Sequence, residues 1–177
     1  MPIMYRKLLP HESPLYRTIR LTCLQRSPGN FGSTFEEESA KSKLKFESLI
    51  EASLPNHFVI GAFDEAALIG IAGFDRMDRQ RTYHRGNVEQ VYIDDNYRGQ
   101  NIGARLMRTL IEEAFALEGM EQLHLGVVTG NIAAIHLYEK LGFKTFGIHP
   151  HYFKVNNQYI DQQLMQLLKS DYFAAKE

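Results

Sequence analysis

Apolar and polar positions change period several times along the chain, and each change marks an element. Ile3 to Leu9 alternates as a short strand does and stops at Pro10. Ser13-Pro14 has the pattern of an N-cap followed by proline at the first helical position, and Leu15, Ile19 and Thr22 or Cys23 carry a helical stripe to about Gln25. Ser27-Pro28-Gly29-Asn30-Phe31-Gly32-Ser33 is punctuated as a loop. Thr34 with Glu37 forms an S/T-x-x-E capping box for a second helix running to about Ser53, with Phe46, Leu49 and Ile50 on its inner face.

Beyond Pro55 the period shortens to two. His57 to Phe63 and Ala67 to Phe74 read as strands joined by an Asp64-Glu65 turn, followed by a polar, arginine-rich connection from Asp75 to Tyr83. Arg85 to Ile93 is the next strand. Ile102, Leu106, Leu110, Ala114 and Leu117 then fall on one helical face. Leu123 to Val128 is a short apolar strand, Thr129-Gly130-Asn131 a turn, and Ile132 to Leu141 a second helix ended by Gly142. Lys144 to Val155 and Gln158 to Leu168 make a long hairpin around Asn156-Asn157. The expected fold is α/β: a mixed, mostly antiparallel central sheet flanked by helices.

Composition narrows the function classes. The chain has 177 residues, enough for a single domain spanning 1–177. Its formal net charge is −1 with both signs interspersed, which argues against nucleic acid as a partner. Glu37 to Lys41 and Lys43 to Glu47 are expected as (i, i+4) pairs on a solvated helix face. Cys23 is the one cysteine; it excludes an internal disulfide and reads as a small core residue. No stretch is apolar for long enough to span a membrane, and a cytoplasmic location is the expectation. His149-Pro150-His151 lacks partners at ligand spacing, so no metal is expected.

Chemistry gathers at two strand-to-helix turns. In Val91 to Leu106 a β-branched run gives way to an acidic turn and then to Arg98-Gly99-Gln100-Asn101-Ile102-Gly103-Ala104. Gly99 and Gly103 permit a tight loop and a close approach to a helix start, Asn101 tolerates the left-handed region, and Arg98 adds a cation. The arrangement seats an anion, or is an ordinary glycine-rich turn. It lacks the Gly-Lys-Ser/Thr ending of a P-loop and the acidic residue of a dinucleotide fold. In the second turn, Asn131, Ala134 and Tyr138 lie near one face of their helix, with Tyr138 about 10 Å along the axis from Asn131. Tyr138 alone would read equally as a half-buried aromatic with a satisfied hydroxyl.

Taken together, these blocks resemble the GNAT superfamily of acetyl-CoA-dependent N-acetyltransferases. Its Gln/Arg-x-x-Gly-x-Gly/Ala pattern is matched by Arg98-Gly99-Gln100-Asn101-Ile102-Gly103, with Asn101 where the family usually has glycine. The later Asn-x-x-Ala-x-x-x-Tyr-x-x-x-Gly-Phe block is matched by Asn131, Ala134, Tyr138, Gly142 and Phe143.

The resemblance implies a sheet splayed at the cofactor site, with acetyl-CoA as co-substrate. Main-chain N–H groups from Arg98 through Gly99, Gln100, Asn101, Ile102 and Gly103 to Ala104 would hold the CoA pyrophosphate. Val91, Tyr92 and Ile93 would run beside the pantetheine arm, and Asn131 and Ala134 would touch the cofactor. Tyr138 would serve the leaving thiolate as general acid. Glu89 occupies the strand position of a family glutamate base; strand alternation sets it on the apolar face of Val91 and Ile93, although pairing with Arg85 or exposure on an open sheet would explain it as well. His84 is the other candidate base. The implied acceptor is a small-molecule or peptide amine, and the long hairpin suits a homodimer. A non-catalytic acyl-CoA-binding module on the same fold is the alternative.

Overall fold

The computed structural model describes residues 2–175. Residues 1, 176 and 177, the ends of the expected single domain, lie outside them. In chain order the elements are β1 (Met4–Lys7), α1 (Ser13–Arg26), α2 (Phe35–Ser39), α3 (Lys45–Ala52), β2 (His57–Asp64), β3 (Ala67–Arg76), β4 (Arg85–Ile93), α4 (Ile102–Phe115), β5 (Gln122–Val128), α5 (Ile132–Lys140), β6 (Lys144–Val155), β7 (Gln158–Leu168) and α6 (Lys169–Ala174).

The strands form one seven-stranded sheet in the order β1-β2-β3-β4-β5-β7-β6. Neighbours are antiparallel except β4 and β5, which are parallel and joined through α4. A parallel pair needs such a crossover, because its connection must return the chain to the starting edge. Helices cover both faces. On one, Leu106, Leu110, Ile111 and Phe115 of α4 pack with Ile60, Ala72 and Phe74 of the sheet and with Tyr138 of α5. On the other, Tyr16, Ile19 and Leu24 of α1 and Phe46 and Ile50 of α3 pack on Val59, Ile71 and Tyr92. Cys23 is fully buried in this second core, as its helical setting predicts.

Besides the start of α1, where Glu12 and not Ser13 is the N-cap, three expectations change. The helix expected from Thr34 to Ser53 is two helices, α2 and α3. Thr34 does cap α2, its side chain accepting from the Glu37 N–H. The chain then breaks so that Leu44 can be buried, and Glu47 turns back to accept the Leu44 N–H at 2.6 Å. The expected (i, i+4) pairs are lost with it: Lys41 meets Glu38 at 2.7 Å, Lys43 meets Glu51, and Glu47 meets Arg17 at 2.7 Å. Secondly, Lys169–Ala174 is a short helix that periodicity did not signal; it buries Tyr172 against Phe115, with ring centroids 5.9 Å apart.

The third change bears on function. Gly73 stands opposite Glu89 but Ile71 stands opposite Tyr92, so three steps along β4 match two along β3. The extra residue is a β-bulge at Gln90, which has φ +57°. One inserted residue reverses the alternation beyond it. Glu89 therefore shares a face with Tyr92, on the α1–α3 side, and not with Val91 and Ile93, which pack toward α4. The apolar setting expected for Glu89 is replaced by an ionic one: Lys45 of α3 reaches Glu89 at 3.1 Å and Asp75 at 2.5 Å. The alternative, a pairing with Arg85, is not found among the described residues, where Arg85 faces His124 instead.

Candidate active site

β4 and β5 part company. They are paired only from Arg85 to Asn87, opposite Gln122 to His124. Beyond these residues the facing edges of both strands have no ladder partner, and a cavity of about 1050 Å³ opens between them. A helix starts beyond the end of each strand, α4 after β4 and α5 after β5. The cleft is thus walled by strand edges and closed at one end by two helix N-termini.

The start of α4 is shaped for an anion. Gly99 (φ +77°) and Asn101 (φ +61°) both adopt the left-handed region, as the spacing of the turn predicts. Asn101 is the N-cap but its side chain caps nothing, and the first main-chain bond of the helix runs from the Arg105 N–H to the Asn101 carbonyl at 3.3 Å. The N–H groups of Ile102, Gly103 and Ala104 consequently have no acceptor in their own helix, and they stand at its positive end. A Cβ on Gly103 would meet only Leu137 Cδ2 at 3.4 Å and Ile93 Cγ1 at 3.8 Å, ordinary contacts. Arg98 is exposed and pairs with Asp95 at 2.6 Å.

At the start of α5, Asn131 caps the helix, its Oδ1 accepting the Ala134 N–H at 3.2 Å. Ala134 and Tyr138 follow on the cavity side. Tyr138 is 7% exposed, with its ring edge-to-face against Phe143 at 5.9 Å, and among the described residues its hydroxyl has no hydrogen-bond partner. Burial raises the phenol well above its usual pKa, so the proton stays on the oxygen.

Most of the residues expected at the site come together here. Val91, Tyr92 and Ile93 line the cavity from β4, Arg98, Gly99, Asn101, Ile102, Gly103 and Ala104 from the first turn, and Asn131, Ala134 and Tyr138 from the second. Glu89 lines it from the opposite face of the bulge. Gln100 and His84 are not among the lining residues.

Sequence reasoning missed part of the wall. Arg85 and Asn87 share the face of Glu89 on β4, and His124 and Gly126 share a face on β5, where they meet Gln162 and Phe146 of the terminal hairpin. Alternation along Arg85 to Glu89 was the available signal. His124 Nδ1 faces Arg85 at 3.3 Å and its Nε2 faces Gln122 Oε1 at 2.9 Å. Burial, with Arg85 and His84 nearby, pulls its pKa down to about 4, so the ring is neutral at pH 7. The Ser27–Ser33 loop closes the far side; a Cβ on Gly32 would lie 2.9 Å from the Phe153 ring of β6. Arg20 of α1 also reaches the cavity, a contribution invisible in the sequence.

Among the described residues no group of His, Cys, Asp and Glu is arranged to hold a metal ion, and no helix is long and apolar enough to cross a membrane.

Comparison with known proteins gives the family and the fold. The model of the Acetyltransferase (GNAT) family matches residues 21–143. The N-alpha-acetyltransferase RimI of Mycobacterium tuberculosis is 34% identical over 106 residues, which make up 60% of this chain and 64% of that protein. The chain thus spans less than two thirds of the length of this relative. Among solved structures, a GNAT-family acetyltransferase from Streptococcus pneumoniae superposes with a TM-score of 0.82 at 23% identity, covering 94% of this chain and 99% of the other. A phosphinothricin acetyltransferase from Sinorhizobium meliloti, solved in complex with acetyl-CoA, gives 0.76 at 19% identity, covering 95% and 89%. At these identities the structural likeness speaks for the fold.

Proposed function

The chain belongs to the acetyltransferase (GNAT) family, and on that premise we propose that it acts as one N-acetyltransferase domain, moving the acetyl group of acetyl-CoA to an amine. The observation that carries this reading is the parting of β4 and β5 between two helix starts. It supplies a slot for a long, thin co-substrate and an anion seat at one end. The residues present fit acetyl-CoA. The orphan N–H groups of Ile102 to Ala104 would take the pyrophosphate, with Arg98 beside it. The unpaired edge of β4 from Val91 to Ile93 would hydrogen-bond the pantetheine arm, and a main-chain N–H there would polarise the thioester carbonyl.

The remaining residues divide the proton work. An ammonium acceptor has no lone pair, so a proton must leave nitrogen before the N–C bond forms. Glu89 is suited to take it, directly or through a water. The bulge turns Glu89 away from the α4 face, toward the cavity side that carries Arg85 and Asn87, and Lys45 keeps it in place. His84 does not line the cavity, and the two nitrogens of His124 are engaged. As the C–S bond breaks, the pair of electrons goes to sulfur. Tyr138 would meet that charge as a hydrogen-bond donor. A thiolate with a pKa of roughly 8–9 draws a shared proton from so weak an acid only in part, so donation to sulfur is its main contribution.

The acceptor is a small-molecule or peptide amine. We also infer a homodimer through the terminal hairpin: β6 is an edge strand carrying exposed Phe146, Ile148, Tyr152 and Val155. Light scattering that reads a monomer mass at assay concentration would remove that part.

The test of activity is direct. Protein, acetyl-CoA and a panel of amines are mixed and free thiol is followed. Thiol release with at least one amine is expected. Acetyl-CoA binding without release for any amine would instead favour the non-catalytic acyl-CoA-binding module.

A further inference from the structure

Among the described residues Arg20 is a buried cation without a counter-ion. It is 3% exposed, yet it lines the cavity from α1, one helical turn beyond Tyr16. Its Nη1 donates only to Cys23 Sγ at 3.6 Å, its guanidinium lies 5.0 Å from the centroid of Phe31, and its Nε has no partner. Among the described residues no carboxylate comes within ion-pair distance of it. Glu38, the buried acid of the same region, is held by Lys41 at 2.7 Å. A guanidinium removed from water and left unpaired loses solvation that only a bound anion or water would return.

Its place identifies the anion's owner. Arg20 belongs to the α1–α3 face of the sheet, the face of Glu89, while α4, whose start carries the orphan N–H groups, packs on the opposite face. Tyr16, four residues earlier on α1, holds Gln90 of the bulge at 2.7 Å. Arg20 therefore lines the cavity from the side of Glu89, from which an acceptor amine would meet the thioester, and across the sheet from the helix start suited to the CoA pyrophosphate. Phe31 of the Ser27–Ser33 loop covers it and would shut water out.

We propose that Arg20 binds a carboxylate carried by the acceptor, so that the substrate class is an amine bearing a nearby carboxylate, such as an α-amino acid or an amino-terminal acidic residue. The inference rests on the acetyl-transfer reading given above. The planar fork of the guanidinium matches a carboxylate with two parallel hydrogen bonds, and the attraction is strengthened where solvent is excluded.

The test uses the whole chain, acetyl-CoA and matched acceptors: a set of α-amino acids, their carboxamides and the corresponding simple amines. The expected result is a kcat/KM for the best amino acid ~10- to 100-fold above that of its carboxamide, a factor set by one charge-assisted contact. In Arg20→Gln that preference collapses, chiefly through KM, and in Arg20→Lys part of it returns. Equal rates for acid and carboxamide with the unmutated protein would overturn the assignment whether or not the variants fold. So would an Arg20→Gln protein of unchanged melting temperature that keeps the preference. Thiol release from no amine at all would overturn the acetyl-transfer reading and this assignment together, whereas release from neutral amines alone would overturn only the assignment.

Discussion

The Tyr16 hydroxyl donates to Gln90 Oε1 at 2.7 Å, which fastens α1 to the extra residue of the β4 bulge. Gln90 is the point at which β4 changes face, so this one bond joins the helix that carries Arg20 to the strand segment that carries Glu89 and Val91. Phe in place of Tyr16 would leave the amide oxygen of Gln90 without that donor, at a cost of about 1–2 kcal/mol. Tyr16→Phe should lower Tm by roughly 2–8 °C and lower kcat/KM as well. A variant with unchanged Tm and unchanged rate would show that the bond does not hold the bulge.

Tyr138→Phe separates catalysis from binding. The hydroxyl has no partner among the described residues, so its loss should leave stability within about 0.5 kcal/mol. Removing a donor to a developing thiolate should lower kcat about 10- to 100-fold, while acetyl-CoA affinity changes little. Steady-state kinetics beside calorimetric titration checks this; an unchanged kcat would remove Tyr138 from the transfer step.

At Gly103 the prediction concerns the ligand and spares the fold. A Cβ there meets only ordinary contacts, with Leu137 and Ile93. Gly103→Val should therefore keep its Tm within a few degrees yet weaken acetyl-CoA binding by about tenfold or more, because the side chain stands where an anion must approach the helix start. Retained affinity in the folded variant would move the pyrophosphate elsewhere.

His124 makes stability acid-sensitive. Its pKa is about 4 in the folded chain, against 6.5 as the ordinary value. As pH falls through 6.5 the unfolded chain takes up a proton that the folded chain declines, so stability is full above that value and drains away down to about 4. Partial exposure of the ring moderates the effect. His124→Gln should flatten the Tm profile between roughly pH 7 and pH 4.5; an identical slope in both proteins would exclude His124 as the source.

The elements themselves were legible wherever a local period carried them. Arg85–Ile93 and the hairpin strands Lys144–Val155 and Gln158–Leu168 fall where alternation put them, and Asn156 and Asn157 both take positive φ at their turn. Helix boundaries were less legible where tertiary demands intervened. Burying Leu44 breaks the helix between α2 and α3, and the docking of Tyr172 on Phe115 makes a helix of a stretch too short to show a period.

By itself the sequence determined the two turns. Glycine and asparagine allow the left-handed backbone found at Gly99 and Asn101, and Gly142 allows the left-handed end of α5, because those preferences are settled within a few bonds. Only the tertiary structure decided which face Glu89 shares. Alternation is a local rule that a single inserted residue reverses, and whether Gln90 is inserted depends on the register with β3 and on Tyr16, 74 residues away. Arg20 belongs to the same class. That it has no counter-ion among the described residues is a property of everything packed around it, and no reading of its neighbours in the chain contains that.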